Sequence, residues 1–169
     1  MAHQAGSLEA AERHYRAVLA DDPRSFPAAH LLGILCVQRR NFTEAEGLLR
    51  LALTLNPNDA ATLQNYAVTL LALERYTDVL TLTARLDPNS ATVWHLRGSA
   101  LHHKGQFADA LASYARALAL KPDLLDALCD SVTLYLQMGR ASDALAASDR
   151  ALALKPDDAR SLKIGRAHV

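Results

Sequence analysis

Four residues in nine positions, His95, Ser99, His102 and His103, carry much of the chemistry this sequence could perform. Asp126, Cys129 and Asp130 stand about thirty residues further on. Imidazoles with a carboxylate or thiolate are metal ligands. However, His95 and His102 are seven residues apart, two helical turns or roughly 10 Å along one face, too far to share an ion easily. Ser99, His95 and Asp130 have the residue types of a hydrolytic triad, but no nucleophile elbow or oxyanion loop accompanies them. Asp126 and Asp130, four apart, would repel each other mildly on a solvated helix face. Cys129 reads as an ordinary member of this face rather than a reactive thiol. The chain contains no GxGxxG, P-loop or HExxH pattern. The expectation is therefore a polar binding face with no catalytic residue, no cofactor and no metal site.

The elements that must position this face are helices, and they repeat. Half of the 169 residues are hydrophobic, few are aromatic, and Ala and Leu dominate. That composition favours helices packed closely through small side chains. Eighteen Lys and Arg balance eighteen Asp and Glu, so no long-range pull on nucleic acid or anionic membrane is expected. Cys36 and Cys129 are too far apart in sequence to suggest a disulfide framework or a zinc motif. The first residues lack a signal-peptide core, and no apolar run reaches membrane-spanning length. A cytoplasmic protein is the expectation.

Pro23, Pro57, Pro88, Pro122 and Pro156 follow one another at intervals of 34, 31, 34 and 34 residues, and ALALKP occurs at both 117–122 and 151–156. Ala91 to Leu124 shows the unit best. Two helices meet at Gly105, the first presenting Trp94, Gly98 and Leu101 and the second Ala110, Tyr114 and Ala117. Trp94 is expected in the core, because so large a side chain gains most from burial.

These positions resemble the tetratricopeptide repeat, or TPR, whose period is 34 residues. The likeness rests on a small residue mid-way along the first helix (Gly33, Ala67, Gly98), followed three later by a larger one (Cys36, Leu70, Leu101, Tyr135). It rests also on Gly at the turn (Gly6, Gly105, Gly139) and on Ala early in the second helix (Ala11, Ala45, Ala110, Ala144). A large residue comes four later (Tyr15, Leu49, Tyr114), then a second Ala (Ala52, Ala117, Ala151). The resemblance implies an all-α fold, a right-handed α-solenoid of stacked antiparallel hairpins, because one hairpin cannot bury its apolar stripe alone.

Residues 1–163 are read as one array: a partial repeat at 1–24, repeats at 25–58, 59–90, 91–124 and 125–158, and the start of another at 159–163. The repeat at 59–90 is three residues short. The loss is assigned to its second helix, where Val79 and Thr83 replace the usual Ala and aromatic, and looser packing is expected there. The repeat at 125–158 loses its small residue to Val132. Helix caps are expected at Asn41 and at Asn58-Asp59, Asn89-Ser90, Asp123 and Asp157-Asp158. The last six residues, Ile164 to Val169, resemble a translated sequencing adapter. This implies a non-native tail and a natural chain that continues beyond about Leu162.

In a TPR stack the first helices line the groove. The positions expected to face a ligand are His30, Gln38, Gln64, Asn65, His95, Ser99, His102, His103, Asp126, Asp130 and Gln137, with Leu31, Ile34, Val68, Leu71, Leu96, Cys129 and Thr133 among them. Such a mixture suits an extended protein or peptide segment. These positions include no Lys or Arg, so a chaperone-type clamp on a C-terminal carboxylate is not expected. The expected function is a non-catalytic protein-interaction scaffold.

Stretches such as AERHYRAVLADDP are also similar to bacterial TPR arrays that precede an O-linked N-acetylglucosamine transferase (SPINDLY-like) domain. That resemblance implies, as an alternative, a substrate-recognition arm whose catalytic domain lies outside this sequence. The asparagine ladder of that family is represented only by Asn65, with Leu31, Leu96 and Asp130 at the other rungs. Self-association through uncapped terminal repeats is a further expectation.

Overall fold

The computed structural model describes residues 2–155, with side chains from Ser7 onward. Nine helices and no strand occur among them. They are α1 (Ala2–Asp21), α2 (Phe26–Gln38), α3 (Phe42–Leu55), α4 (Ala60–Ala72), α5 (Tyr76–Thr83), α6 (Ala91–His103), α7 (Phe107–Leu120), α8 (Leu125–Gln137) and α9 (Ala141–Leu154). The fold class is all-α, a solenoid of helix hairpins as the repeat pattern implies. The chain divides into two compact units, Met1–Asp78 and Val79–Val169. Pro156, Asp157-Asp158, the partial repeat at 159–163 and the Ile164–Val169 tail lie outside the described residues.

Two kinds of turn alternate. Between the helices of a hairpin, Arg40, Glu74, Gly105 and Gly139 occupy equivalent positions with φ of 60°, 59°, 74° and 70°. Each is followed by a backbone bond back across the turn, such as Gln106 N to Leu101 O at 2.9 Å and Asn41 N to Cys36 O at 2.9 Å. This is a Schellman stop, whose left-handed residue is ordinarily glycine. Between hairpins the proline is the second residue of a tight turn. Ser25 N bonds Asp22 O, Asp59 N bonds Asn56 O, and Leu124 N bonds Lys121 O. Proline suits that position because its ring presets φ.

The small residue of the first helix lets two backbones approach. A Cβ added to Gly33 would lie 2.7 Å from Leu49 Cδ2, and one added to Gly98 would lie 2.5 Å from Tyr114 Cε1. Leu49 and Tyr114 are fully buried there. The equivalent positions in α8 and α9 are Val132 and Ser148, both also fully buried. The small residue has therefore not been lost from that repeat. It has moved to the other helix, and the pair keeps a workable volume.

Helix α5 has 8 residues where α3, α7 and α9 have 14, so the shortening falls where the spacing predicts. Val79, Leu82 and Thr83 are nonetheless buried. After Thr83 the chain leaves the helix through tighter bonds, Arg85 N to Leu82 O at 3.0 Å and Leu86 N to Thr83 O at 3.3 Å.

Several expectations are corrected. Gly6 lies within α1 and is not a turn residue. Asn41 precedes α3 but does not cap its amides; its Nδ2 instead donates to Glu44 Oε2 at 2.7 Å. The N-cap of α8 is Leu124, one residue beyond Asp123. Asp59 does cap α4, accepting from Thr62 N at 2.8 Å. Trp94 is only half-buried, and its Nε1 donates to Pro88 O at 2.8 Å. The core there is Leu101, Ala110 and Tyr114, joined by Leu134 of α8.

The turns and the helix crossing each carry a stability prediction. Arg40→Gly should stabilise by up to about 1 kcal/mol by relieving a left-handed non-glycine residue, while Gly105→Ala should destabilise by about the same amount. Gly98→Val should cost about 3 kcal/mol or more from overpacking against Tyr114. Adding Tyr114→Ser should recover at least about 1 kcal/mol of that, because the pair then matches Val132 and Ser148. Urea denaturation of the single and double variants measures each.

Candidate functional site

In each unit the first helices of successive hairpins touch: α2 meets α4 in one, and α6 meets α8 in the other. Their shared faces carry the predicted groove residues, which are described unit by unit.

On α6 and α8, polar side chains pair across the face. His95 Nε2 lies 2.8 Å from Asp130 Oδ2, and His102 Nε2 lies 2.7 Å from Gln137 Oε1. Both pairs join residues 35 positions apart, one repeat plus one residue. The His102 ring also meets Phe107 edge-on at 5.9 Å. His103 Nδ1 turns back to its own helix, 2.8 Å from Ser99 O. Thr133 Oγ1 similarly donates to Cys129 O. Asp126, Thr133 and Gln137 are exposed, whereas His95 and Asp130 are half-buried.

Three of the expected surface positions lie beneath the face. Ser99, Leu96 and Cys129 are 6%, 4% and 4% exposed. They belong to its floor and offer a ligand little surface. Burial, with the Asp130 charge in support, pushes the Tyr114 phenol upward, and the Ser99 hydroxyl partly opposes this. The Tyr114 hydroxyl is itself buried without a hydrogen bond of normal geometry.

On α2 and α4, His30 Nδ1 lies 2.6 Å from Thr62 Oγ1 and 3.7 Å from Asp59 Oδ2, and its ring stacks on Phe26 at 5.5 Å. Hydrogen bonds from the Thr62 hydroxyl and backbone hold the Asp59 carboxyl below its usual range. The nearby His30 adds to this, and partial burial opposes it. Asn65 Nδ2 donates to Ala61 O at 2.8 Å, so it is turned along its own helix. Gln38 and Leu31 are exposed, and Gln64, Ile34 and Val68 are half-buried.

Of the residues that suggested chemistry, His95, His102 and Asp130 link neighbouring first helices, His103 bonds its own helix, and Ser99 and Cys129 are buried. His95 and Asp130 do meet, but Ser99 is buried and His95 Nε2 is directed at the carboxylate. Among the described residues no three His, Cys, Asp or Glu side chains converge on a metal position. Burial pushes the Cys36 thiol up to about 11, which keeps it protonated and unreactive near neutrality. No described helix is long and apolar enough to cross a membrane.

Tetratricopeptide-repeat family models match residues 2–60 and 65–124, and another matches 101–164. The chain belongs to the tetratricopeptide-repeat family. Among solved structures it resembles PilW, a widely conserved type IV pilus biogenesis factor (TM-score 0.85, 21% identity, covering 98% of this chain and 80% of that one). It also resembles TTC0263, a thermophilic TPR protein of Thermus thermophilus (TM-score 0.78, 23% identity, 98% and 93% coverage). A third likeness is to YrrB, a TPR protein with an unusual peptide-binding site (TM-score 0.75, 22% identity, 97% and 86% coverage). Among curated proteins, protein O-mannosyl-transferase TMTC1 of Mus musculus is 29% identical over 129 residues. That match takes in 70% of this chain and only 13% of the mouse protein.

The Asp59 cap carries a pH prediction. A carboxyl whose folded pKa is depressed stabilises above its unfolded value, and that contribution is lost as pH falls through the folded value. Asp59→Ala should cost about 1 kcal/mol at neutral pH. The gap between variant and wild type should narrow below about pH 4. Urea midpoints measured across that range check it.

Proposed function

We propose that this chain is a non-catalytic interaction scaffold whose first-helix faces hold a segment of another protein. The observation that supports it most is the α6–α8 face. There, paired polar side chains (His95 with Asp130, His102 with Gln137) lie over a buried floor of Leu96, Ser99 and Cys129. Such a face offers hydrogen-bond partners to an extended segment, and its rigid helices reduce the ordering cost of binding. Asp126 and Asp130, with no Lys or Arg at the predicted groove positions, favour a neutral or basic segment over an acidic one. Membership of the TPR family and likeness to a peptide-binding TPR protein agree with this reading. His30, Gln38, Gln64 and Asn65 would extend the binding residues onto the α2–α4 face.

The likeness to a mouse O-mannosyl-transferase favours one second reading. Here the chain is the repeat arm of a longer glycosyltransferase and selects its protein substrates. The O-linked N-acetylglucosamine transferase relationship is one form of that reading. Long-read sequencing across both ends of the source locus separates the two readings. A downstream glycosyltransferase domain would establish the arm, and its absence would leave a scaffold. In either case ultracentrifugation tests self-association.

Peptide display on the immobilised chain, followed by calorimetry with the selected peptides, tests the groove. Asp126→Lys with Asp130→Lys should weaken binding by at least about tenfold. Gln137→Ala with His102→Ala should weaken it by a few-fold. Unchanged affinity in both double variants would place binding elsewhere and overturn the reading.

A further inference from the structure

The shortened α5 leaves a mark on the face opposite the groove. Along the α7–α9 seam a cavity of about 280 Å3 is walled by α7 through Leu111, Ala115, Leu118 and Ala119. One repeat earlier, the same seam holds a cavity of about 620 Å3. Five lining residues of the two sites correspond at a spacing of 34, Ser113 with Ala147 among them. Trp94 answers to Leu128, Arg97 to Ser131, Leu101 to Tyr135 and Arg116 to Arg150. The larger cavity also reaches Gln106, Asp109 and Ala112 at the start of α7, and its preceding-helix wall is thinner. Only Leu80 of α5 lines the larger cavity, where four residues of α7 line the smaller. Past Thr83 the chain bends away, and Ala84, Leu86 and Pro88 border a smaller hollow that shares Trp94 and Arg97. The larger cavity and this hollow together form a notch beside the shortened α5, with the half-buried Trp94 and Arg97 lining both.

The charges in this notch are unbalanced. Neither Arg97 nor Arg116 has a hydrogen-bond or ion-pair partner among the described residues. Asp109 also lines the notch, but it sits in the first turn of α7, where the helix amides already favour a carboxylate. Two guanidinium groups, one carboxylate and a half-exposed indole with its N–H satisfied make a surface that is cationic at the edge and apolar at the centre. Trp and Arg are the residues most often energetically dominant in protein interfaces.

We propose that this notch docks an acidic segment of a partner protein. Carboxylates of the segment pair with Arg97 and Arg116, and one of its apolar side chains seats on the Trp94 ring in the notch beside α5. The site is separate from the groove and selects the opposite charge. The chain would then hold two different segments, on its two faces.

Trp94 is the only tryptophan in the chain, so its fluorescence reports the notch directly. The probe is acetyl-Glu-Glu-Leu-Phe-Asp-Glu-amide, compared with acetyl-Lys-Lys-Leu-Phe-Lys-Lys-amide and with inorganic phosphate. The acidic peptide should give a saturable change in Trp94 emission that weakens with salt, and the lysine peptide should bind at least about tenfold more weakly. Arg97→Gln with Arg116→Gln, checked for folding by circular dichroism, should weaken the acidic peptide by about tenfold or more. Asp109→Asn should tighten it by roughly threefold. Asp130→Asn, in the groove, should leave it unchanged. The proposal is overturned by no saturable response to the acidic peptide, by equal binding of the lysine peptide or of the arginine double variant, or by phosphate alone matching the peptide.

Discussion

The contact on which the rest of the structure depends is the crossing of two helices within a hairpin, where one side must be small. At Gly98 and Tyr114 the approach is so close that a single methyl group would meet the aromatic ring at 2.5 Å. Interiors are packed at crystal-like density, so such a crossing tolerates exchange of volume between its partners but not addition. Gly33 with Leu49 and Val132 with Ser148 are two other solutions to the same constraint. The crossing sets how closely the helices of a hairpin lie. That spacing fixes which faces of the first helices meet the next hairpin, and so which residues line the groove.

The helices and turns were legible because their causes are local. The proline period marks the turns between hairpins, and Gly105 and Gly139 mark the turns within them. Arg40 and Glu74 hold the same left-handed conformation without being glycine, so only their constant distance from the preceding proline, shared with Gly105 and Gly139, reveals them. Val132 looked like a departure from the pattern because the compensating Ser148 lies sixteen residues later on another helix. A volume constraint is a property of pairs, and a position read singly cannot display it.

The site was less legible for a similar reason. The positions expected to face a ligand lie along α6 and α8, but their burial depends on rotation about each axis. Ser99 and Cys129 turned inward, while Trp94, assigned to the core, turned toward the seam. The signal that could have corrected this is the length of α5. A helix of 8 residues cannot cover a neighbour that helices of 14 cover elsewhere. The pairing of His95 with Asp130 and of His102 with Gln137 was also readable in principle, because both follow an offset of one repeat plus one residue.

That pairing constrains what the groove can do. A ligand amide or cation that reaches Asp130 must share the carboxylate with His95 or displace it. Because both side chains are only half-buried, the contact surrendered is worth no more than about 1 kcal/mol. The trade therefore costs little, and the His95 ring has a second contact, with the buried Tyr114 at 5.9 Å. In the absence of a ligand the same pair helps to hold α6 and α8 in register. A face that is prearranged by its own weak internal bonds can exchange them one for one with a bound segment. Under the proposed groove-binding reading, affinity would come from the number of such exchanges along the helices rather than from a single anchoring residue.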